Sequence, residues 1–283
     1  MTDPVDIDYL RQWIGRTHET SDVVTAHLAK ALRATLFQEP GDPRPGDAAP
    51  LTSHWCLAQP VVTMDELGAD GHPSRGGFLP PVPLPRRMWA GGSIEFHDSL
   101  RVGDEISRWS KITDVSLKSG STGPLCFVSV EHTIRTSRGI AIREMQNVAY
   151  RDATTSPTKK PASPPELPLS EHSHKLLADP VLLFRYSALT FNGHRIHYDR
   201  DYVTKIEGYP GLIVHGPLQA SLLIEFAYRL NDGQMPRAFS YRGMQPLFDG
   251  AEFSLNAAKE ADGLSLWVAN GEGVPTMKAS VSW

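Results

Sequence analysis

Residues 184–216 read FRYSALTFNGHRIHYDRDYVTKIEGYPGLIVHG, and the fold is read outward from them. Histidines stand at positions 194, 197 and 215, and Asn192, Arg195 and Asp199 lie around the first two. An imidazole titrates near neutral pH, so a histidine here is suited to taking and giving protons. Gly216-Pro217 then leads into 218–230, LQASLLIEFAYRL, which is apolar nearly all round. Proline is favoured at the first helical position, and a helix with no polar face must be buried on every side. Gly216 falls near the N-cap, where unpaired N–H groups can meet an incoming oxygen and the missing side chain permits close approach.

Downstream of that helix the pattern is one of strands, at 238–241, 251–258, 264–269 and 276–283. Asp249-Gly250, Asp262-Gly263 and Gly271-Glu272-Gly273 supply the turns. A short strand-like run at 182–186 precedes the histidines. The upstream half repeats the plan. Val23, Val24, His27, Leu28, Ala31, Leu32 and Leu36 have helical spacing, which predicts a helix over 22–36 capped by Ser21 or Asp22. EPGDPRPGDAAP (39–50) breaks it, an irregular stretch follows at 68–87, and strands are expected at 93–96, 105–115, 125–136 and 140–150. Residues 152–180 are rich in Pro, Ser, Thr and Lys and read as a linker. An antiparallel meander with one apolar face needs a cover. The expectation is therefore an α+β chain of two similar lobes, 1–151 and 181–283, each a sheet around a helix.

The chain has 283 residues and a formal net charge of −4, which argues against a nucleic-acid surface. Cys56 and Cys126 have neither a CxxC spacing nor a disulfide framework and read as two buried thiols in a reducing compartment. The first thirteen residues carry Asp3, Asp6 and Asp8 and no apolar core, and the most apolar window (212–230) contains His215, Pro217, Gln219 and Glu225. The expectation is a cytoplasmic protein with no membrane span.

Tyr186-Ser187, Ile196-His197, Asp199, Gly211 and His215-Gly216 together resemble the signature of the MaoC-like, (R)-specific enoyl-CoA hydratases. That signature runs Tyr-Ser, Asp-x-Asn-Pro-[Ile/Leu]-His-x-Asp, then Gly-x-x-x-His-Gly. Asn192 stands where the family has its catalytic aspartate, and His194-Arg195 replace its Asn-Pro pair. The form FNGHRIHYD is similar to a distinct branch, that of mitochondrial 3-hydroxyacyl-thioester dehydratases and of mesaconyl-CoA and itaconyl-CoA hydratases. GGFLPPVPLPRRMWAGGSIEFHDSLRVGD and TGPLCFVSVEHTI in the first half resemble the same branch. The resemblance implies a double hot-dog fold, two antiparallel sheets each wrapped around a long central helix. It also implies a hydro-lyase acting on an acyl-CoA thioester, with no metal and no cofactor besides the CoA substrate. No second histidine-bearing signature occurs upstream, so the first lobe reads as catalytically degenerate, with one site per chain.

Adding water to an α,β-unsaturated thioester needs a base for water and donors for the enolate oxygen. His197 is the expected base and Gly216 the expected donor. Asn192 could hold the water through its side-chain carbonyl. His197 acts alone as base and then acid, or Asp199 orients it or supplies a second carboxylate. Tyr186, His194 and His215 are expected around the substrate, and Arg86 beside Arg75 and Arg87 is a candidate for CoA phosphates. Arg195 suits a second substrate carboxylate, as in a C5 dicarboxylyl-CoA that yields citramalyl-CoA. An ion pair with Asp199 or Asp201 is its competing use. Other readings are a dehydratase of fatty-acid metabolism, a hot-dog thioesterase, for which Asn192 offers no base, and a non-catalytic acyl-CoA-binding protein. The chain alone holds two lobes, so a monomer or a homodimer is expected.

Overall fold

A computed structural model describes residues 5–120, 123–152 and 167–283. The first half contains α1 (Ile7–Arg11), β1 (Thr17–Val23), α2 (Ala26–Thr35), β2 (Arg86–Phe96), β3 (Glu105–Gly120), β4 (Gly123–Thr136) and β5 (Gly139–Arg151). The second contains β6 (His172–Leu177), α3 (Pro180–Leu189), α4 (Gly216–Leu230), β7 (Ala238–Gly243), β8 (Glu252–Glu260), β9 (Gly263–Asn270) and β10 (Pro275–Ser282).

The structure is a double hot-dog. Every residue of α4 from Pro217 to Ala227 is buried, as an all-round apolar helix requires. β7, β8, β9 and β10 pack around it. The two expected sheets are joined edge to edge into one of ten strands, in the order β1-β3-β4-β5-β2-β7-β10-β9-β8-β6. The seam is the antiparallel pairing of β2 with β7, from Gly91 opposite Arg242 to Glu95 opposite Ala238. Pairing the two edges satisfies backbone groups that would otherwise stand open. One apolar core runs through both lobes, joining Leu32 and Ile94 to Leu222 and Phe239. Across the same seam the buried Glu225 of α4 accepts hydrogen bonds from Gln38 Nε2 and Leu51 N–H, each at 2.8 Å. Burial raises the pKa of this carboxyl, and those two bonds offset part of the rise.

Several elements differ from the sequence expectation. Residues 17–23 pair with β3 as an edge strand, so the helix expected over 22–36 starts at Ala26. Its cap is Thr25, which accepts from Leu28 N–H at 3.0 Å, and neither Ser21 nor Asp22 caps it. α2 is ten residues against fifteen for α4, so the first lobe has no long central helix. The run at 182–186 is helical, because Asp179 accepts from Leu182 N–H at 2.8 Å and Pro180 opens the first turn. The linker read over 152–180 includes β6, which pairs with β8. Its residues 153–166 lie outside the described part. Cys126 is buried and Cys56 partly so, neither is in a disulfide, and burial pushes the Cys56 thiol up to about 12. No helix among the described residues is long and apolar enough to cross a membrane.

The seam tests the packing. A Cβ at Gly92 would lie 2.4 Å from Met145 O and 2.8 Å from Tyr241 Oη, and the first of these is backbone and cannot step aside. Gly92→Ala should cost roughly 1–3 kcal/mol, lowering the thermal midpoint by about 2–12 °C. An unchanged melting curve would show that β2 gives way between β5 and β7, where it is described as tight.

Candidate active site

The histidine segment is held by its own backbone. α3 ends at Leu189, and Phe191 takes a positive φ of 49° to reverse the chain. Asn192 Oδ1 then accepts His194 N–H at 3.0 Å, which closes a local turn. Arg195–His197 form one 3-10 turn, and Ile213 N–H donates to Ile196 O at 3.0 Å, tying this turn to the strand-like approach to α4. His197 Nδ1 lies 2.7 Å from Ile213 O. A carbonyl can only accept, so Nδ1 carries the proton and Nε2 keeps its lone pair. His197 stacks on His215 with ring centres 3.6 Å apart and planes 17° from parallel. Ser187 Oγ sits 2.8 Å from Nε2 of His215.

The row of imidazoles continues into the first lobe. His194 stands edge-on to His197 at 5.4 Å, and His72 lies 4.1 Å from His194. Asp70 Oδ2 holds His72 Nδ1 at 3.1 Å. Burial pushes the His197 pKa down to about 4, and it also lowers His194 and His215 well below the usual histidine value. For His72 burial again lowers the pKa, while the bond to Asp70 works the other way. Asp70 itself is raised by burial but ends low, through its hydrogen bond and attraction to His72.

A cavity of about 2720 Å³ spans both lobes and is lined by His197, His194, His72, Asn192, Gly216 and Arg87 among others. It extends under β4 and β5 to a buried polar group in the first lobe. There Trp55 Nε1 donates to Glu144 Oε1 at 2.9 Å, and His132 lies between Ser110 Oγ (2.8 Å) and Gln146 Oε1 (2.9 Å). The proline-rich 77–85 stretch contributes Gly77, Phe78, Leu79, Pro80 and Pro85 to the wall, as a tunnel lining would.

The structure gathers His197, Asn192, His194, Arg195, Arg86 and Gly216 on this wall and leaves out Asp199, Tyr186 and His215. Asp199 does not orient His197: its Oδ2 takes Arg195 Nε (3.0 Å) and Nη2 (2.8 Å), and its Oδ1 takes Tyr202 N–H (2.9 Å). Tyr186 is buried behind His215, with its hydroxyl 3.4 Å from Ser221 Oγ. His215 is fully buried and supports the His197 ring. Arg195 is paired with Asp199 and stacks over Tyr202 at 4.2 Å, which is the competing use expected for it. Arg86 is paired with Glu207 at 2.9 Å, and Arg75 donates to Val82 O and Leu84 O. Arg87 has no carboxylate within 4.0 Å among the described residues. Its charge acts on Asp70, His72 and His194. The oxygen of Asn192, on the cavity wall, accepts the His194 amide, so this side chain also holds the turn. Sequence reasoning missed Asp70 and His72. Their only signal was an Asp-Gly-His triplet inside a stretch read as irregular.

The model of the family described as Htd2, hydroxyacyl-thioester dehydratase type 2, matches residues 52–249. The chain belongs to this family. It is 43% identical over 271 residues, 95% of this chain and 96% of the other, to a protein of Chloroflexus aurantiacus named mesaconyl-C(4)-CoA hydratase. It is 29% identical to the mitochondrial hydroxyacyl-thioester dehydratase type 2 of Schizosaccharomyces pombe, over 64% of this chain and 68% of that one. Among solved structures, a MaoC-like dehydratase from Phytophthora capsici superposes with a TM-score of 0.72 over 99% of both chains at 15% identity. A double-hotdog protein of Mycobacterium tuberculosis does so at 0.55 over 95% of both, at 14% identity. This Htd2-family chain is a hydro-lyase of the acyl-CoA hydratase/dehydratase type.

The buried imidazoles make stability depend on pH with a fixed sign. Their folded pKa values lie below the free value of 6.5, so below that pH the unfolded chain binds protons that the folded chain refuses. Stability should therefore fall as pH drops from about 6.5 towards about 4, with His197 alone accounting for on the order of 3 kcal/mol. Thermal melts across that window check this, and His197→Asn should flatten part of the slope. A midpoint independent of pH there would contradict neutral burial.

Proposed function

We propose that the chain adds water to, or removes it from, an unsaturated C5 dicarboxylyl-CoA of the mesaconyl or itaconyl type, giving a hydroxyacyl-CoA such as citramalyl-CoA. The observation that carries the reaction is His197. Its Nδ1 is pinned to a backbone carbonyl and its Nε2 is left as a base, on a cavity wall shared with the start of α4. Nε2 takes a proton from water as the water oxygen bonds to the β-carbon. Charge then moves to the thioester oxygen. Pro217 has no N–H, so Gly216 N–H at the positive end of α4 is the donor we assign to that oxygen. Low polarity strengthens the donor's hold on the developing oxyanion, while the same burial lowers the basicity of His197. The chemistry calls only on proton transfer and charge stabilisation, and so on no further cofactor.

The dicarboxylic part of the reading is supported by the 43% relative and by Arg87, which takes the place first given to Arg195. A guanidinium on the cavity wall with no carboxylate within 4.0 Å among the described residues suits a carboxylate brought by the substrate. A second reading, a dehydratase of longer 3-hydroxyacyl thioesters, is favoured by the cavity volume, which exceeds the ~300–1,000 Å³ of ordinary small-molecule sites.

A panel of enoyl-CoA thioesters, followed by loss of conjugated enoyl absorbance, tests the reaction. Wild type should hydrate at least one member and release no thiol from a saturated acyl-CoA. His197→Asn should lose about 10²–10⁴ in kcat while still binding CoA. Retained turnover in that variant, or no hydration by wild type, would end the proposal.

The same panel tests the substrate. Arg87→Met should raise KM for dicarboxylyl thioesters by roughly 10–100-fold, the worth of one charged hydrogen bond of about 1.5–3 kcal/mol. KM for crotonyl-CoA should stay within about 3-fold. Equal losses on both would remove Arg87 from specificity, and preference for long acyl chains would favour the second reading.

A further inference from the structure

A loop of the first lobe is fitted onto the histidine segment of the second with no slack. Arg195 N–H donates to Asp70 O at 2.9 Å, and Arg195 Nη1 donates to Ala69 O at 3.1 Å. Gly71 has a φ of +87°, and a Cβ there would lie 2.0 Å from Gly193 O; a Cβ on Gly193 would lie 2.8 Å from Gly71 O. Only paired glycines allow this approach. The contact delivers Asp70 and His72. Asp70 accepts His72 N–H at 3.0 Å with Oδ1 and holds Nδ1 at 3.1 Å with Oδ2, so both backbone and ring of His72 are fixed. A carboxylate can only accept, so Nδ1 carries a proton and Nε2 is the working nitrogen.

Hydration moves two protons, one from water and one onto the α-carbon. Asn192 cannot supply the second, and Asp199 is bound to Arg195. We propose that Asp70 and His72 form a second acid–base pair of this site, with His72 serving the α-carbon while His197 serves the water. The inference rests on the hydratase reading above.

The step balances without another reactant. Water oxygen bonds to the β-carbon as His197 Nε2 takes its proton, and the π electrons move to the thioester oxygen. When the enolate collapses, the α-carbon takes a proton from His72, leaving a neutral imidazole against Asp70. The proton on His197 returns to His72 through cavity water or through His194, whose ring stands between them. Dehydration runs the same steps in reverse. Asp70 is a positioning residue: it fixes the tautomer and stabilises the imidazolium. Asp70 from its own loop, Arg75 beyond it, Arg87 of β2 and His194 of the catalytic segment all face His72. Burial and the two arginines weaken its hold on a proton while Asp70 strengthens it, which suits a group that must release one.

Five proteins decide the matter: wild type, His72→Gln, His72→Ala, Asp70→Asn and His197→Asn. His72→Gln should lower kcat about 100-fold or more, with KM within about 3-fold and an unchanged melting curve. His72→Ala should regain turnover in added imidazole. Asp70→Asn should move the alkaline limb of the pH–rate profile to lower pH, because His72 then holds its proton less firmly. The decisive readout is deuterium uptake at the α-carbon of a hydroxyacyl-CoA in D2O. His197→Asn should keep it, and His72→Gln should lose it. Uptake that survives in His72→Gln and vanishes in His197→Asn would overturn the assignment. So would a divalent metal bound by wild type, lost in the Asp70 and His72 variants, and needed for turnover, since the ligand atoms of Asp70, His72 and His194 lie within 4.8 Å of one another. Absence of hydration by wild type, with His72-dependent α-exchange on a saturated dicarboxylyl-CoA intact, would sink the hydratase reading and leave the pair.

Discussion

Helix α4 has no side that can face water, and that constraint sets the rest of the architecture. A helix buried from Pro217 to Ala227 has to be enclosed by more surface than β7–β10 and β6 supply. The second meander covers the open flank by joining β2 to β7, and the buried carboxyl of the helix, Glu225, is met by groups from the first lobe at Gln38 and Leu51. The two lobes are thus one packing unit. Because they are, loops from the first lobe reach the entrance of α4 in the second, and the cavity is walled by both.

Burial that is right for packing is costly for charge. Four histidines in a row would repel one another if protonated, and desolvation alone disfavours each cation. Desolvation keeps these rings neutral, and fixed contacts hold them in place: Ile213 O holds His197 by Nδ1, and Ser187 Oγ meets His215 Nε2. Asp70, at the far end, is the carboxylate in contact with the row, and it gives His72 a different environment from His197. Two imidazoles in one cavity, one backed by a carbonyl and one by a carboxylate, differ in how readily each gives up a proton. Such a pair can divide acid from base within a single site.

Much of this was legible in the sequence, and the failures have physical causes. α4 and eight of the strands follow from period and turn residues, because each is decided by neighbours along the chain. His197 and Gly216 sit in one continuous segment and could be placed together. The run 182–186 was read as strand because a short apolar run has no period of its own, and the Asp179 cap with Pro180 decides it. Residues 17–23 are exposed in the folded chain and become a strand only by pairing with β3. Asp70 and His72 were invisible as site residues for a similar reason, and Arg87 showed only as a candidate for CoA phosphates. Their approach to His194 depends on contact between lobes, and sequence spacing carries no record of it.

The substitution at Asn192 is intelligible in that light. A carboxylate there would sit on a turn whose acceptor already takes the His194 amide, and the neighbouring Arg195 is held by Ala69 O and Asp199. Its charge would lie beside the imidazoles themselves, raising their pKa values and favouring the protonated forms that burial otherwise excludes. Asparagine keeps the turn, since its oxygen accepts the same bond, and carries no charge. Placing the carboxylate on the opposing lobe, at Asp70, keeps it two rings away from His197 while still in contact with the row. The docking of Gly71 on Gly193 is then more than a packing detail. It is the geometric condition for separating the negative charge from the water-activating base, and any side chain at either glycine would break it.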